Sequence, residues 1–184
     1  AALVSWSGSM FEYLMPSLVM RAPAGSLLEQ TNRLIVGHQQ AYCRKLGMPW
    51  GISESAYNAR DLELTYQYSS FGVPGLGLKR GLGENAVIAP YATALAAMVE
   101  PHAAVLNFAR LRGIDALGHY GYYEALDYTV RRLPEGDAFA IVAEAEAVGE
   151  AFAGFGEIAG VGAVEFHADD TTDAVLDDLH EEAI

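Results

Sequence analysis

The sequence predicts an all-α fold, and three observations carry that expectation. Apolar residues recur at helical spacing in several stretches, those stretches are bounded by helix start and stop signals, and strand-type alternation is nearly absent. In chain order, SMFEYLMPSLVMR (9–21) reads as an apolar helix with Glu12 as its isolated acid, kinked at Pro16, which lacks a backbone N–H. SLLEQTNRLIVGHQQAYCRKLG (26–47) carries the clearest helix signature. Ser26 and Glu29 have capping-box spacing, Leu27, Leu34 and Ile35 mark an apolar face, and Gly47 follows Arg44 and Lys45 as a stop. Residues 48–68 read as irregular, and FGVPGLGLKRGLGENAV (71–87) as a glycine-rich loop. Two further helices are predicted at about 89–99 and 101–112, with Pro101 between them. Past Pro134 the alanine-rich stretches 137–153 and 172–183 read as helical. The division expected is 1–134 as the main helical unit and 135–184 as an acidic, alanine-rich tail packed on it or continuing it. Functional residues then belong on the connections between helices.

Charge is unevenly placed. The chain of 184 residues has a net charge of −13, yet all 11 Lys and Arg precede Glu135, and the segment from there to Ile184 has none. An acidic balance repels phosphates and sets nucleic-acid binding aside. A hydrophobic share of 52% argues for a packed globule. Cys43 is alone, which excludes an internal disulfide. No apolar run reaches the roughly 18 residues of a membrane span. The opening AALVSW lacks a basic n-region and an initiator methionine, which predicts a piece cut from something longer.

Two stretches concentrate flat rings with acids: MPWGISESAYNARDLELTYQY (48–68) and LGHYGYYEALDYT (117–129). Such mixtures suit carbohydrate, because sugar C–H faces pack on aromatic rings while hydroxyls bond to carboxylates, Asn and Arg. Glycoside chemistry needs two carboxyl groups, one protonated to serve the leaving oxygen and one ionised. Glu54 and Glu124 are candidates for the pair, with Glu12 and Asp127 beside them. Against this stands the plainer reading that these acids cap helices or pair with Arg60, Lys79 and Arg80. Trp50 and Tyr57 flank Glu54 as sugar platforms or as core, while Tyr66, Tyr68 and Trp6 read as core. GLGLKRGLG (75–83) lacks the phosphate-loop pattern and follows no strand, so it reads as a mobile active-site loop. His38, His102, His119, His167 and His180 have no metal-ligand spacing, and no metal or other cofactor is expected. SWSGS lacks the nucleophile-elbow pattern.

Six blocks, SWSGSMFEYLMP, GSLL, PWGISESAYNARDLELTYQY, FGVPGLGLKRGL, VIAPYATALAAMV and GHYGYYEALDYT with RLPEG, together resemble the glycoamylase-like domain of cyclic β-1,2-glucan synthases. That domain is similar to bacterial endo-β-1,2-glucanases, and the resemblance runs from about Ser5 to Gly136. It implies an (α/α)6 toroid, and cleavage or transfer of β-1,2-linked glucose chains without metal or organic cofactor. Carried over by residue, it implies Glu54 as proton donor and acceptor, with Trp50, Tyr57, Asn58 and Arg60 in the sugar-contacting stretch around it. It implies substrate contact or support for Glu12, Tyr13, Tyr122, Glu124 and Asp127, and substrate binding for Tyr91 in a further matching block. Glu124 is the remaining candidate for the second catalytic carboxylate, since the family's partner acid falls upstream of SWSG. Twelve helices need on the order of 200 residues, so only helical hairpins of an incomplete toroid fit this chain. Its exposed wall predicts self-association or docking to a missing half. The expected ligand is β-1,2-glucan and the expected location cytoplasmic, the parent being membrane-associated through regions absent here. A glucan-binding or structural fragment without turnover is the alternative. After RLPEG the chain departs from the family pattern in AEAEAVGEAFAGFGEIAG, which predicts a diverged tail.

Overall fold

The computed structural model describes residues 2–142. Ser9 caps the first helix, α1 (Met10–Leu14), by accepting from the Glu12 amide through its side chain. Pro16 ends it, and the chain continues as a 3-10 turn over Met15–Leu18. Helix α2 (Leu27–Lys45) starts at Ser26, whose Oγ accepts from Glu29 N; Glu29 Oε2 in return accepts from Gly25 N at 2.6 Å. Gly47, at φ +70°, follows its last turn. The buried stripe of α2 is Thr31, Asn32, Ile35, Val36, Gln39 and Cys43. Leu27 and Leu34, expected on that face, are 44% and 54% exposed; only Ile35 of the three is in the core. Helices α3 (Pro90–Ala97) and α4 (Pro101–Arg112) pack on each other as predicted neighbours, each opened by a proline where the amide has no helical partner.

The all-α expectation, with helical hairpins of a partial (α/α)6 toroid, is corrected by seven strands in three small antiparallel sheets among the described residues. Strands β1 (Ser55–Arg60) and β2 (Tyr66–Ser69) form a hairpin inside the stretch read as irregular. Its turn is an Asp61 device: Oδ1 accepts from the amides of Glu63 and Thr65, and Leu64 takes a left-handed φ of 64°. Strands β3 (Val87–Ile88), β6 (Ala125–Asp127) and β7 (Ala140–Val142) form a three-stranded sheet with β6 in the middle. Strands β4 (Leu117–Gly118) and β5 (Gly121–Tyr122) make a second short hairpin. These strands escaped sequence reading because they are two to six residues long and lack in/out alternation. All three residues of β6 are buried, and four successive residues of β1 are half-buried. Strand β7 falls in 137–153, expected to be helical; the rest of that stretch from 143, and 172–183, lie outside the described residues.

Between α2 and β1 the chain crosses the core in extended form, and here the packing is set by side-chain amides. Asn107 on α4 accepts from Trp50 N at 3.2 Å and donates to Trp50 O at 2.9 Å. Gln39 on α2 does the same for Ile52, accepting from its N–H and donating to its C=O, both at 2.8 Å. Backbone bonds add Ala89 N to Gly51 O and Met10 N to Ile52 O. A buried backbone without such partners is strongly disfavoured. On the other side of α1, Ser5–Gly8 lies against the glycine-rich loop. Val73 N donates to Gly8 O, Leu78 N to Ser5 O and Lys79 N to Trp6 O. Gly72 is required there, since a Cβ would sit 1.8 Å from Ser7 O. The loop expected to be mobile is therefore pinned along one side.

Gln39→Leu keeps the side-chain bulk but strips the Ile52 N–H of its acceptor and its C=O of one donor. A loss of about 2 kcal/mol is expected in urea unfolding, and a change below about 0.5 kcal/mol would remove the amide from its structural role.

Candidate active site

Glu54 leaves the core where the pinned segment enters β1, and it stands half-buried. Burial, and secondly the negative charge of Glu12, push its carboxyl above the ordinary Glu value. Glu12 itself is fixed by its surroundings. Its Oε2 accepts from Ser7 N at 2.8 Å, Ser7 Oγ at 2.6 Å and Gly8 N at 3.1 Å. Burial alone would raise Glu12, but these bonds outweigh it and hold the carboxyl below its ordinary value, so Glu12 stays ionised. Glu124 sits between β5 and β6 and its Oε1 accepts from Ala56 N at 3.3 Å, two residues from Glu54.

Two tyrosines complete the group. Tyr68, opposite Ala56 on β2, has a ring 63% exposed and a hydroxyl raised by burial and then by the charges of Glu54 and Glu124. Tyr91, on the first turn of α3, has its hydroxyl 2.8 Å from Ser53 Oγ and 2.8 Å from the Glu54 carbonyl. Burial raises it strongly, a bond from Ser53 partly offsets this, and the charges of Glu54 and Glu124 add to the rise. Glu12 thus acts on Glu54, and Glu54 and Glu124, about 70 residues apart in number, act on the same pair of hydroxyls.

The other residues singled out from sequence lie in supporting positions. Asp127 is fully buried: Oδ2 accepts from Arg132 Nε at 2.6 Å and from Asn58 N at 3.0 Å, while Oδ1 accepts from Arg132 and Thr129 N, each at 2.9 Å. Burial alone would raise this carboxyl, but Arg132 and the amides together hold it below the usual Asp value. Asn58 donates through Nδ2 to Arg132 O, and the Arg132 guanidinium lies 4.9 Å from the centre of the Tyr57 ring. Tyr57 also meets Phe71 edge-on. Ala56 and Asn58 face the same edge of β1, so Glu124 and Asp127 together take the place of a neighbouring strand there. Trp50 is 8% exposed and packed in the core, and Tyr13 is buried with its hydroxyl donating to Leu76 O and accepting from Ser5 N. Tyr122 leans on Phe108 of α4, its hydroxyl donating to the Phe108 carbonyl. Arg60, itself exposed, covers the ring of Tyr66 and donates to its hydroxyl across the hairpin.

Sequence reasoning passed over two exposed rings, Tyr68 and Trp6, having read both as core. Trp6 is 64% exposed and directly precedes Ser7, which holds Glu12. The signal available for Tyr68 was its two-residue step from Tyr66, which in a strand edge places both rings on one face. Nothing in sequence marked Trp6 as exposed. Among the described residues no group of three or more His, Cys, Asp or Glu is placed to hold a metal ion. No helix there is long and apolar enough to cross a membrane.

A family model described as "Putative glucoamylase", named Glycoamylase, matches residues 1–157. The chain belongs to the glycoamylase family. The glycoamylase match runs past Gly136, so the change in composition there does not mark its end. The chain is also similar to the cyclic beta-(1,2)-glucan synthase NdvB of Rhizobium meliloti (strain 1021), with 64% identity over 141 residues. That alignment covers 77% of this chain and 5% of the relative's length.

Within this glycoamylase chain the Asp127–Arg132 pair makes a sharp prediction. Arg132→Leu leaves a buried carboxylate uncompensated, and a loss of about 3–5 kcal/mol in chemical unfolding is expected. Because the native Asp127 value is depressed, its stabilising contribution is full above the ordinary value of 3.8 and fades as pH falls below it. The acid-unfolding limb of the wild type should therefore carry a component that is missing in Arg132→Leu; identical limbs would count against the pair.

Proposed function

We propose that this chain supplies the acid-bearing wall of a site that acts on β-1,2-linked glucan, cleaving a glycosidic bond or transferring the cut end to close a ring. The observation that carries the reading is the placing of Glu54, raised from its ordinary value by burial and by the Glu12 charge, two residues from Ala56, whose amide donates to Glu124. Membership of the glycoamylase family and the similarity to a protein named for cyclic beta-(1,2)-glucan synthesis support the choice of substrate.

In this reading Glu54 is the general acid. Raised by burial and by the Glu12 charge, it keeps its proton at higher pH than an ordinary glutamate. As the C–O bond breaks, the leaving oxygen takes that proton and positive charge develops at the anomeric carbon. Glu124 is the carboxylate assigned to that charge, as nucleophile or stabiliser. An incoming hydroxyl then bonds to the anomeric carbon and returns its proton to Glu54. Water as acceptor gives hydrolysis; the far end of the same glucan gives a ring. Tyr68 and Trp6 offer exposed rings on which sugar faces can pack. Asp127, Asn58, Tyr57 and Trp50 act behind the site by holding β1 and the segment that leads to Glu54.

Glu54→Gln should abolish ring formation and reducing-end release from linear β-1,2-glucan, measured on the intact protein; full activity in that variant ends the assignment. Retained binding of the glucan with no turnover in the wild type would instead select a binding role. Glu12→Gln keeps an oxygen for the Ser7 and Gly8 donors but removes the charge facing Glu54. The alkaline limb of the pH–rate profile should then move to lower pH, since Glu54 loses one of the two influences that raise it. A limb that stays in place would detach Glu12 from the acid.

A further inference from the structure

The four groups between α1 and Glu54 form a hydrogen-bonded chain whose direction follows from donor counting. The Glu54 carbonyl only accepts, so the Tyr91 O–H, 2.8 Å away, must donate to it. Tyr91 oxygen is then left to accept, and the Ser53 O–H donates to it across 2.8 Å. Ser53 oxygen in turn accepts from Phe11 N at 3.0 Å. Every proton runs one way, from Phe11 N–H through Ser53 and Tyr91 to Glu54 C=O. Phe11 adjoins Glu12, and the preceding amide, Met10 N, donates to Ile52 O. The first turn of α1 is thereby bolted to the segment bearing Glu54, with Tyr91 of α3 as the bolt.

We propose that Tyr91 and Ser53 are positioning residues that set the distance between the Glu12 and Glu54 carboxylates. The inference rests on the acid role proposed for Glu54 and deepens it. The Glu12 charge would push an ionising Glu54 away if their backbones were free to move, and the relay opposes that drift. Tyr91 suits the task because burial holds its hydroxyl protonated far above neutral pH, so the donor to Glu54 C=O persists throughout the working range. The groups acting with Glu54 are Glu12 from α1, Tyr91 from α3 and Tyr68 from β2, and Glu124 from the turn before β6 acts on the same two tyrosines. Tyr91 is a member of this relay, and of the acids named only Glu12, through its neighbour Phe11, is joined to Glu54 by it.

Tyr91→Phe keeps the ring, which meets Phe11 edge-on at 6.3 Å, and removes only the bolt. In the intact protein kcat should fall roughly ten- to a hundredfold with little change in KM for linear β-1,2-glucan. The Glu54 carboxyl, followed by 13C NMR and assigned by its absence in Glu54→Gln, should titrate at lower pH than in the wild type. Ser53→Ala breaks the same relay from its other side and should repeat both effects, while Ser53→Thr keeps the hydroxyl and should restore them. Loss of kcat with an unmoved Glu54 titration would reduce Tyr91 to a packing residue and overturn the inference. The titration also separates the two claims. A downward shift in a protein that shows no Glu54-dependent activity would sustain the positioning role and refute the catalytic one.

Discussion

The structure depends on a buried stretch of backbone, Trp50 to Ser53, that crosses the core touching a strand only at the Ile52–Ile88 bridge to β3. Such a path is costly unless each N–H and C=O finds a partner, since water is excluded there. Asn107 and Gln39 meet that demand with paired bonds from one amide each, at Trp50 and Ile52. An amide is the side chain suited to the purpose, because it offers a donor and an acceptor side by side, as a neighbouring strand does. The bonds arrive from α4 and α2, so the two longest helices and the segment between them become one framework. Glu54 is the first residue to emerge from it.

Electrostatics then differentiate acids that look alike in sequence. Glu12 is surrounded by donors from Ser7 and Gly8 and remains charged. Glu54 has a carboxyl without comparable donors and faces that charge, so its proton is retained longer. Asp127 is deeper than either, yet the bidentate Arg132 and two amides keep it ionised. The ranking follows the donors supplied by the neighbours, with burial acting on all three in the same direction. One arrangement thus yields a fixed charge, a carboxyl raised above its ordinary value and a buried structural pair.

Glycines at 8, 72 and 77 serve the first of these. They let the Ser5–Gly8 backbone lie directly against the loop at 72–79, where a Cβ on Gly77 would come within 2.7 Å of Gly8 N. The loop that cradles Glu12 is shaped by that close approach. The apparent looseness of a glycine-rich sequence here reflects tight backbone packing.

The bounds of α2, α3 and α4 were legible from sequence because they depend on local chemistry: the Ser26–Glu29 pair and the prolines opening α3 and α4 each act within a turn or two of chain. By contrast 9–21, read as one helix kinked at Pro16, ends as a helix at Leu14. Glu54 was legible as a candidate from its company of rings and from the resemblance of its block. The strands were not, since β6 is buried on both faces and β1 is bordered by the carboxylates of Glu124 and Asp127, which leaves no alternating pattern to read. Nor could sequence separate Trp50, enclosed in the core, from Trp6 and Tyr68, which face solvent. By itself the sequence determined where α2, α3 and α4 run, and the acidic, aromatic character of the connections. Tertiary structure decided which carboxyls are raised and which lowered, because that depends on burial and on the donors and charges that packing brings around each of them.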